Sequence, residues 1–502
     1  MKKNRYLYLI SILLSLLLFS TAYASTAFHH PLFSSLKQEH ENIRNTTPSP
    51  TIVVQPTILL PRSTVPTFAT PGGNFTVTFT TNQFTTLYAS LSTAYEPVVD
   101  EINLSIETIA HFPDNWQVTV LVPLDIPEEL YNLTLIIENN GIFSSYTEPR
   151  AVSIIHEFSE NFSFIHLADF HVGDFRGLTE NVRQTIGYKS LKKCIDEINL
   201  IHPDFVLISG DLVFGSLYPL EYAREYRECY DLLQRFDVPT FLCPGNHDGY
   251  YKPGQDGFDY WKTYFGPLYY SFNYGNNHFI SVNSYDWPSY SRRTMFFAPL
   301  NWGGSIQEEQ LQWIEQDLNT STAEHTFMFL HHNPLWDTTN DSLLKREYQN
   351  RNELNNLIQH YNVSMVLAGH VHWDNVTKVN NTMYLTTTTP SSDTRAEDGY
   401  WGYRLVELKD DDIVSYNYKE PKYSIPSYHL NITSENLYTK IVKNDLEINL
   451  TVLVKFIVPL GNYTVNTGNI ALSRQNDDQM EVYIKTLIGI ESTVTITLSL
   501  SP

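Results

Sequence analysis

Cysteine is nearly missing from this sequence: Cys194, Cys229 and Cys243 are all there is in 502 residues. So sparse and odd a count excludes a disulfide scaffold. Cys194 and Cys229 fall in helical patterns and Cys243 ends a strand. All three read as small core residues, with a single Cys194–Cys229 bridge as the alternative. Positive charge is also short. Against 55 Asp and Glu stand 33 Lys and Arg, a net charge of −22. Such a balance argues against nucleic-acid binding, which needs a basic surface. Long apolar runs are missing beyond the first 24 residues, and the closing "TVTITLSLSP" alternates like a strand, too short and polar for a tail anchor. With 42% hydrophobic and 18% charged residues the chain is globular material, not a disordered one.

The first residues read as an export leader. Lys2, Lys3 and Arg5 precede "YLYLISILLSLLLFSTAYA", which closes on Ala22-Tyr23-Ala24, a small-residue cleavage pattern. A signal peptide over 1–24 and a secreted or extracytoplasmic protein are expected, with an uncleaved N-terminal anchor as the alternative. No Cys follows the site, which argues against a lipoprotein. Loss of the three basic leader residues would take the mature chain to −25. Asn-x-Ser/Thr triplets such as those at Asn74, Asn103, Asn132, Asn375 and Asn462 would mark surface loops if the host glycosylates.

A chain of this length predicts two to four domains. Residues 25–55 are polar and Pro-bearing, a linker. From 56 to 157, "NFTVTFTT", "NWQVTVLVPL" and "YNLTLIIEN" alternate with period two between turn signals, which predicts a β-sandwich of immunoglobulin or fibronectin type. From 158 to 424 strands alternate with helical spacing, as in Ile186, Leu191, Ile195 and Ile198, which predicts an α/β layered domain. Ser305 and Glu308 form a capping-box pattern ahead of a helix. From 425 to 502 the period-two pattern returns, a second small β-sandwich.

Strand after strand of the middle region ends in a side chain able to hold a metal. "SFIHLAD" delivers Asp169 and then His171, and "FVLISGD" delivers Asp211. "TFLCPGNHD" delivers Asn246, His247 and Asp248; "TFMFLHH" delivers His331 and His332; "SMVLAGHVH" delivers His370 and His372. In open α/β sheets ligands gather at the carboxyl ends of the strands. Carboxylates, imidazoles and an amide oxygen in one pocket are a mixed ligand set for divalent transition metals. Each motif alone is weak, and the ordered set is specific. His166 and His278 read as core residues and Asp174 as a turn carboxylate. Tyr250, Tyr251, Trp373, Tyr400 and Trp401 neighbour the motif loops, where they would line a substrate pocket or serve in packing. Arg395 would contact phosphate or stay at the surface.

These blocks, "DFHVGD", "GDLVFG", "GNHDGY", "FLHHNP" and "GHVHWD", resemble the calcineurin-like metallophosphoesterase superfamily over roughly residues 160–410. The resemblance implies a central four-layer α-β-β-α domain, here flanked by β-sandwich domains, and two divalent cations (Mn, Fe, Zn or similar) about 3.5–4 Å apart. It implies one cation on Asp169, His171, Asp211 and His372, and the other on Asp211, Asn246, His331 and His370, with Asp211 shared. His331 is favoured over His332 because it directly follows the strand. The expected nucleophile is a bridging hydroxide attacking phosphorus in line. His247 would protonate the leaving oxygen or steady the phosphoryl charge, with Asp248 orienting it or closing the turn. The substrate would be a phosphomonoester or phosphodiester, whether small molecule, lipid or polymer, and the sandwiches would offer association with a cell surface.

Two departures narrow the subgroup. Purple acid phosphatases also carry a β-sandwich before the catalytic domain, but have a ligand Tyr where this chain has Phe214, and no His at the position of His171. The secreted acid sphingomyelinase-like branch leans on disulfides, which three Cys cannot supply. The rival reading, a non-catalytic cell-surface binding or adhesion protein on a phosphoesterase scaffold, predicts a decayed ligand set; no expected ligand is missing here.

Overall fold

A computed structural model describes residues 56–501 except 175–180, 216–218, 294–301, 337–347, 395–398 and the single positions 99, 253, 411, 417, 419 and 421. The expected leader (1–24), the linker (25–55) and Arg395 lie outside the described residues. Residues Val54–Pro502 form one compact unit, and among the described residues no helix is long and apolar enough to cross a membrane.

Strands between Thr57 and Ile154 hydrogen-bond into one eight-stranded path, antiparallel except where Thr67–Ala69 runs beside Ile142–Ile154. Alternation does the sorting. In Asn74–Thr80 the residues Phe75, Val77 and Phe79 point inward and the threonines outward. They meet Val118, Val120, Leu133, Leu135 and Ile137 in a core of their own.

Two mixed sheets carry the candidate site. One has the order β3-β2-β1-β10-β11, with β1 (Phe162–Leu167), β2 (Phe205–Ser209), β3 (Thr240–Cys243), β10 (Gly402–Lys409) and β11 (Asp412–Ser415). The other has the order β4-β5-β6-β7-β9-β8. Its strands are β4 (Tyr270–Tyr274), β5 (Asn277–Val282), β6 (His325–Leu330), β7 (Met365–Ala368), β8 (Asn375–Val379) and β9 (Thr382–Thr386). Strands β1, β2 and β3 are parallel, as are β5, β6, β7 and β9.

The sheets share an aromatic core. Phe164, Phe205 and Phe241 from the first meet Phe272, Phe279 and Phe327 from the second. Phe241 stacks on Phe272 at 3.7 Å, Phe272 on Phe279 at 5.0 Å and Phe279 on Phe327 at 4.7 Å. Ring faces at these offsets add to the burial energy. The opposite faces are covered by helices. α1 (Ile186–Ile201) and α2 (Pro219–Leu233) pack on Ile165, Val206 and Leu242. α4 (Glu308–Thr320) and α5 (Arg351–His360), which follow the short α3 (Gly257–Tyr264), pack on Ile280, Met328 and Val366.

The C-terminal strands form a four-stranded and a three-stranded antiparallel sheet. Their inward residues Val452, Val454 and Phe456 belong to the same core as Leu191, Cys194 and Ile198 of α1. Lys193 donates to Leu430 O at 2.8 Å, and Glu197 accepts from Tyr428 N at 2.7 Å, stitching α1 to that region.

The expected capping box does not form. α4 starts at Glu308 behind Gln307, with no side-chain cap. Ser305 is buried in bridges to Tyr285 and Gln349, and its hydroxyl donates to Asp286 O. Tertiary pairing has claimed the residue that the local pattern assigned to the cap. Asp286 serves that end instead, accepting from Gln307 N at 3.1 Å. All three cysteines are free and buried, so no Cys194–Cys229 bridge is present.

A buried pair anchors the loop after β7. Asp374 faces Arg404 at 3.0 Å and accepts from Thr388 N and Ser424 N, with side chains 6% and 0% exposed. Asp374→Ala would strand a buried guanidinium and is expected to cost about 3–5 kcal/mol. Urea denaturation with an unchanged midpoint would contradict this.

Candidate metal centre

Each candidate residue sits just past a strand end. Asp169 and His171 follow β1, Asp211 follows β2, and Asn246, His247 and Asp248 follow β3. His331 follows β6 and His370 and His372 follow β7. The first three loops come from one sheet and the last two from the other. The parallel run of both sheets brings all five to the same edge.

The backbone bends hard to achieve this. Asp169, His171, Asp211, His370 and His372 all have positive φ, between 50° and 74°. Left-handed backbone costs a non-glycine residue roughly 1–2 kcal/mol, and such strain gathers at functional sites. Gly210 is also left-handed, at φ 84°. Gly245 is not, and glycine is needed there for space. A Cβ on Gly245 would run into the Asp211 carboxylate and backbone nitrogen, and one on Gly210 would sit 2.5 Å from Gly245 N.

The side chains converge as facing acceptors. His331 Nε2 lies 3.2 Å from Asp211 Oδ2, 3.1 Å from Asn246 Oδ1 and 3.2 Å from His370 Nδ1. His372 Nε2 lies 3.4 Å from both Asp169 Oδ1 and His171 Nε2. Asp211 Oδ2 is also 3.8 Å from His171 Nε2, so one oxygen looks toward both groups. Metal–nitrogen and metal–oxygen bonds of about 2.0–2.2 Å put neighbouring ligands of one ion roughly 3.0–3.5 Å apart. The separations fit cations, and the donor set of carboxylates, imidazoles and an amide oxygen suits divalent transition metals. Ligand atoms within 4.8 Å of one another form the triads Asp169/His171/His372, Asp169/Asp211/His331, His171/Asp211/His247 and His331/His332/His370.

Backbone carbonyls aim the imidazoles. His331 Nδ1 is 2.8 Å from Ser209 O, His372 Nδ1 is 2.9 Å from Asp393 O, and His247 Nδ1 is 2.6 Å from Phe214 O. Each leaves Nε2 for the centre, the arrangement usual for ligating histidines. His332 has both ring nitrogens engaged elsewhere, Nδ1 with Ser284 Oγ at 2.9 Å and Nε2 with Trp302 O at 2.8 Å. The geometry therefore favours His331 over His332. Ser284 Oγ also accepts from the amides of both histidines.

Asp248 does not touch the His247 ring in any hydrogen bond described. Its carboxylate accepts from Leu212 N, Val213 N and Gly245 N at 2.8–3.1 Å. Of the two tasks expected of it, the contacts are those of loop closure: it welds the Asp211 loop to the Asn246 loop.

Electrostatics follow from burial and crowding. Burial lowers His331, but Asp211 overrides it and holds the imidazole up to about 9. Burial alone would raise Asp211; the imidazoles of His331, His247 and His171 instead hold it well below the usual carboxylate range. Burial pushes His171 and His247 down and His332 down to about 3.

The aromatic residues divide. Trp373 and Tyr400 line a cavity of about 60 Å³ with Lys422 and Tyr423. Trp401 donates to Ser392 O, and Arg293 sits over the Tyr251 ring at 5.5 Å. Tyr250 instead accepts from Asn246 Nδ2 at 2.7 Å. His166 pairs with Ser209 Oγ, and His278 with Asn273 and Asp317, both as core residues. Asp174 is buried in the turn closed by its own amide on His171 O.

Supporting residues were missed. Tyr222 and Tyr226 of α2 place their hydroxyls 2.9 Å and 2.6 Å from Asp248 O. The run Thr386–Thr389 reads as simple strand, yet Thr389 Oγ1 donates to Asp169 O and Thr388 Oγ1 to Tyr400 O. Only the i, i+4 spacing of the tyrosines was a visible hint.

Residues 162–374 match the family model of calcineurin-like phosphoesterases. Among curated proteins, the chain is similar to "Probable glycerophosphodiester phosphodiesterase GpdQ" of Arcobacter nitrofigilis, 27% identical over 209 residues, 41% of this chain and 70% of that protein. It is similar to purple acid phosphatase 23 of Arabidopsis thaliana, 27% identical over 237 residues, covering 40% and 45%. Among solved structures it overlaps a dimetal phosphatase from Danio rerio, at 14% identity and a TM-score of 0.38, covering 56% and 95%. The matched region resembles the calcineurin-like metallophosphoesterase superfamily. It is accordingly an enzyme domain of that kind, a metal-dependent phosphoric ester hydrolase.

A cation ligated by His331 must displace its proton, since a pKa of about 9 leaves the ring charged at neutral pH. Metal binding at pH 7.5 is expected to release about one proton or more. Calorimetry in buffers of different ionisation enthalpy measures this, and a buffer-independent heat would count against it.

Proposed function

We propose that this protein is an exported, two-metal phosphoesterase that hydrolyses phosphomonoesters or phosphodiesters. In this reading a four-layer α-β-β-α domain over 158–424 is flanked by β-sandwiches over 56–157 and 425–502. The observation that carries it is the set of facing acceptors around Asp211, whose Oδ2 lies 3.2 Å from His331 Nε2 and 3.8 Å from His171 Nε2.

One cation would be held by Asp169, His171, Asp211 and His372, the other by Asp211, Asn246, His331 and His370. Bound there, two divalent cations would polarise phosphoryl oxygens and bring the pKa of water toward neutrality. Asp211 suits the shared place because its carboxylate has two oxygens and full charge. Asn246 adds a neutral oxygen, so the site gains a ligand without gaining charge. His247 has Nδ1 tied to Phe214 O at 2.6 Å, which leaves Nε2 to meet the substrate. When protonated it would give its proton to the leaving oxygen or hydrogen-bond a phosphoryl oxygen. Phe214 and Tyr250 pack against its ring at 5.5 Å and 4.7 Å and hold the imidazole in place.

The named relatives include a phosphodiesterase and a phosphatase, so the substrate test should cover both ester classes. Metal-loaded protein should hydrolyse bis(p-nitrophenyl) phosphate or p-nitrophenyl phosphate, and the ratio assigns the preference. No hydrolysis of either, with metal bound, would favour the non-catalytic reading. His247→Ala is expected to lower turnover by about 10²–10⁴-fold on esters with poor leaving groups, and less on p-nitrophenyl esters, which need no proton. Equal losses on both would remove the proton-donor role. Export should appear as a mature chain beginning at Ser25 on N-terminal sequencing of extracytoplasmic protein; recovery of the intact leader would favour the anchored form.

A further inference from the structure

We infer that Tyr250 is a positioning residue that sets the orientation of the Asn246 amide and thereby the affinity of one of the two cation positions. The inference rests on the proposed role of Asn246 as a ligand.

An amide ligand poses a problem that a carboxylate does not. Its two ends have nearly the same shape, and only the oxygen can bind a cation. Something must hold the nitrogen end. Here Asn246 Nδ2 donates to Tyr250 Oη at 2.7 Å while Oδ1 faces His331 Nε2 at 3.1 Å. Both groups are buried, Asn246 at 1% and Tyr250 at 9% exposure. An NH2 turned toward Tyr250 is therefore paired, and without the hydroxyl it would lose that partner away from water.

The tyrosine is itself held firmly, as a positioning group must be. Its carbonyl accepts from Gly257 N at 3.0 Å and lies 3.2 Å from Tyr222 Oη. The loop between the two residues is closed by Gly249 N donating to Asn246 O at 3.2 Å. Gly249 leaves no room for slack, since a Cβ there would meet the rings of Tyr285 and Phe258. The Tyr250 ring packs on His247 at 4.7 Å, a contact that phenylalanine would keep. Tyr250→Phe therefore removes the hydroxyl and spares the packing.

The test titrates the full chain with Mn²⁺, reading stoichiometry and affinity by calorimetry and the spin-coupled pair by electron paramagnetic resonance. Wild-type protein should take two Mn²⁺ and show the coupled spectrum. Tyr250→Phe should keep one ion and weaken the other by about 10–100-fold, the usual penalty for losing a group that orients a ligand. Asn246→Ala should weaken the same ion. Adding Tyr250→Phe to Asn246→Ala should cause no further loss, because a residue acting through the amide has nothing left to position. Unchanged Mn²⁺ binding in Tyr250→Phe would overturn the inference. So would equal weakening of both ions, or a further loss in the double variant, which are signs of general loosening. If wild-type protein takes no pair of ions, or Asn246→Ala leaves both intact, the ligand assignment has failed first.

Discussion

The carboxylate of Asp211 lies where the two sheets meet, beside that of Asp169. Its Oδ1 takes the amide of His247, and its Oδ2 faces imidazoles from both sheets. Acceptors brought this close in a buried place repel one another unless a cation or a proton lies between them. The elevated pKa of His331 expresses that demand in the protein alone. Left-handed backbone at five candidate residues, and the missing Cβ atoms at Gly210 and Gly245, are what the approach costs in local conformation.

Holding such a centre requires a stiff frame, and the aromatic core supplies it. Rings stacked from Phe241 through Phe272 and Phe279 to Phe327 join the two sheets. Close-packed interiors resist small shifts, so loops at the sheet edges keep their spacing. Behind the facing acceptors lies a second set of hydrogen bonds. Carbonyls of Ser209, Asp393 and Phe214 turn the imidazoles, Asp248 ties two loops through their amides, and Ser284 fixes the histidine pair. Most of these partners are backbone groups, which have no signature of their own in a sequence.

The legible part was the part written in local pattern. Period-two alternation marked Asn74–Thr80 and Leu450–Pro459, and apolar runs ending in Asp, Asn or His marked β1, β2, β3, β6 and β7. The capping pattern at Ser305 failed because bridges to Tyr285 and Gln349 engaged that residue. Tyr250 reads as pocket wall or packing because nothing in the spacing of Asn246 and Tyr250 says that one hydroxyl meets one amide. The threonine run Thr386–Thr389 looked like plain strand because its partners, Asp169 and Tyr400 among them, are remote in sequence.

The sequence by itself determined which chemical groups stand at which strand ends, since strand period and residue type are local properties. Only the tertiary structure decided which of them face each other. It set the ring nitrogens of His332 against Ser284 and Trp302, laid the Asp248 carboxylate on the amides of two loops, and brought Gly245 against Asp211. Those outcomes depend on contacts between segments up to about two hundred residues apart, such as His370 N with Asp169. No local rule reaches that far, because the deciding quantity is the distance between atoms that meet only when both sheets are in place.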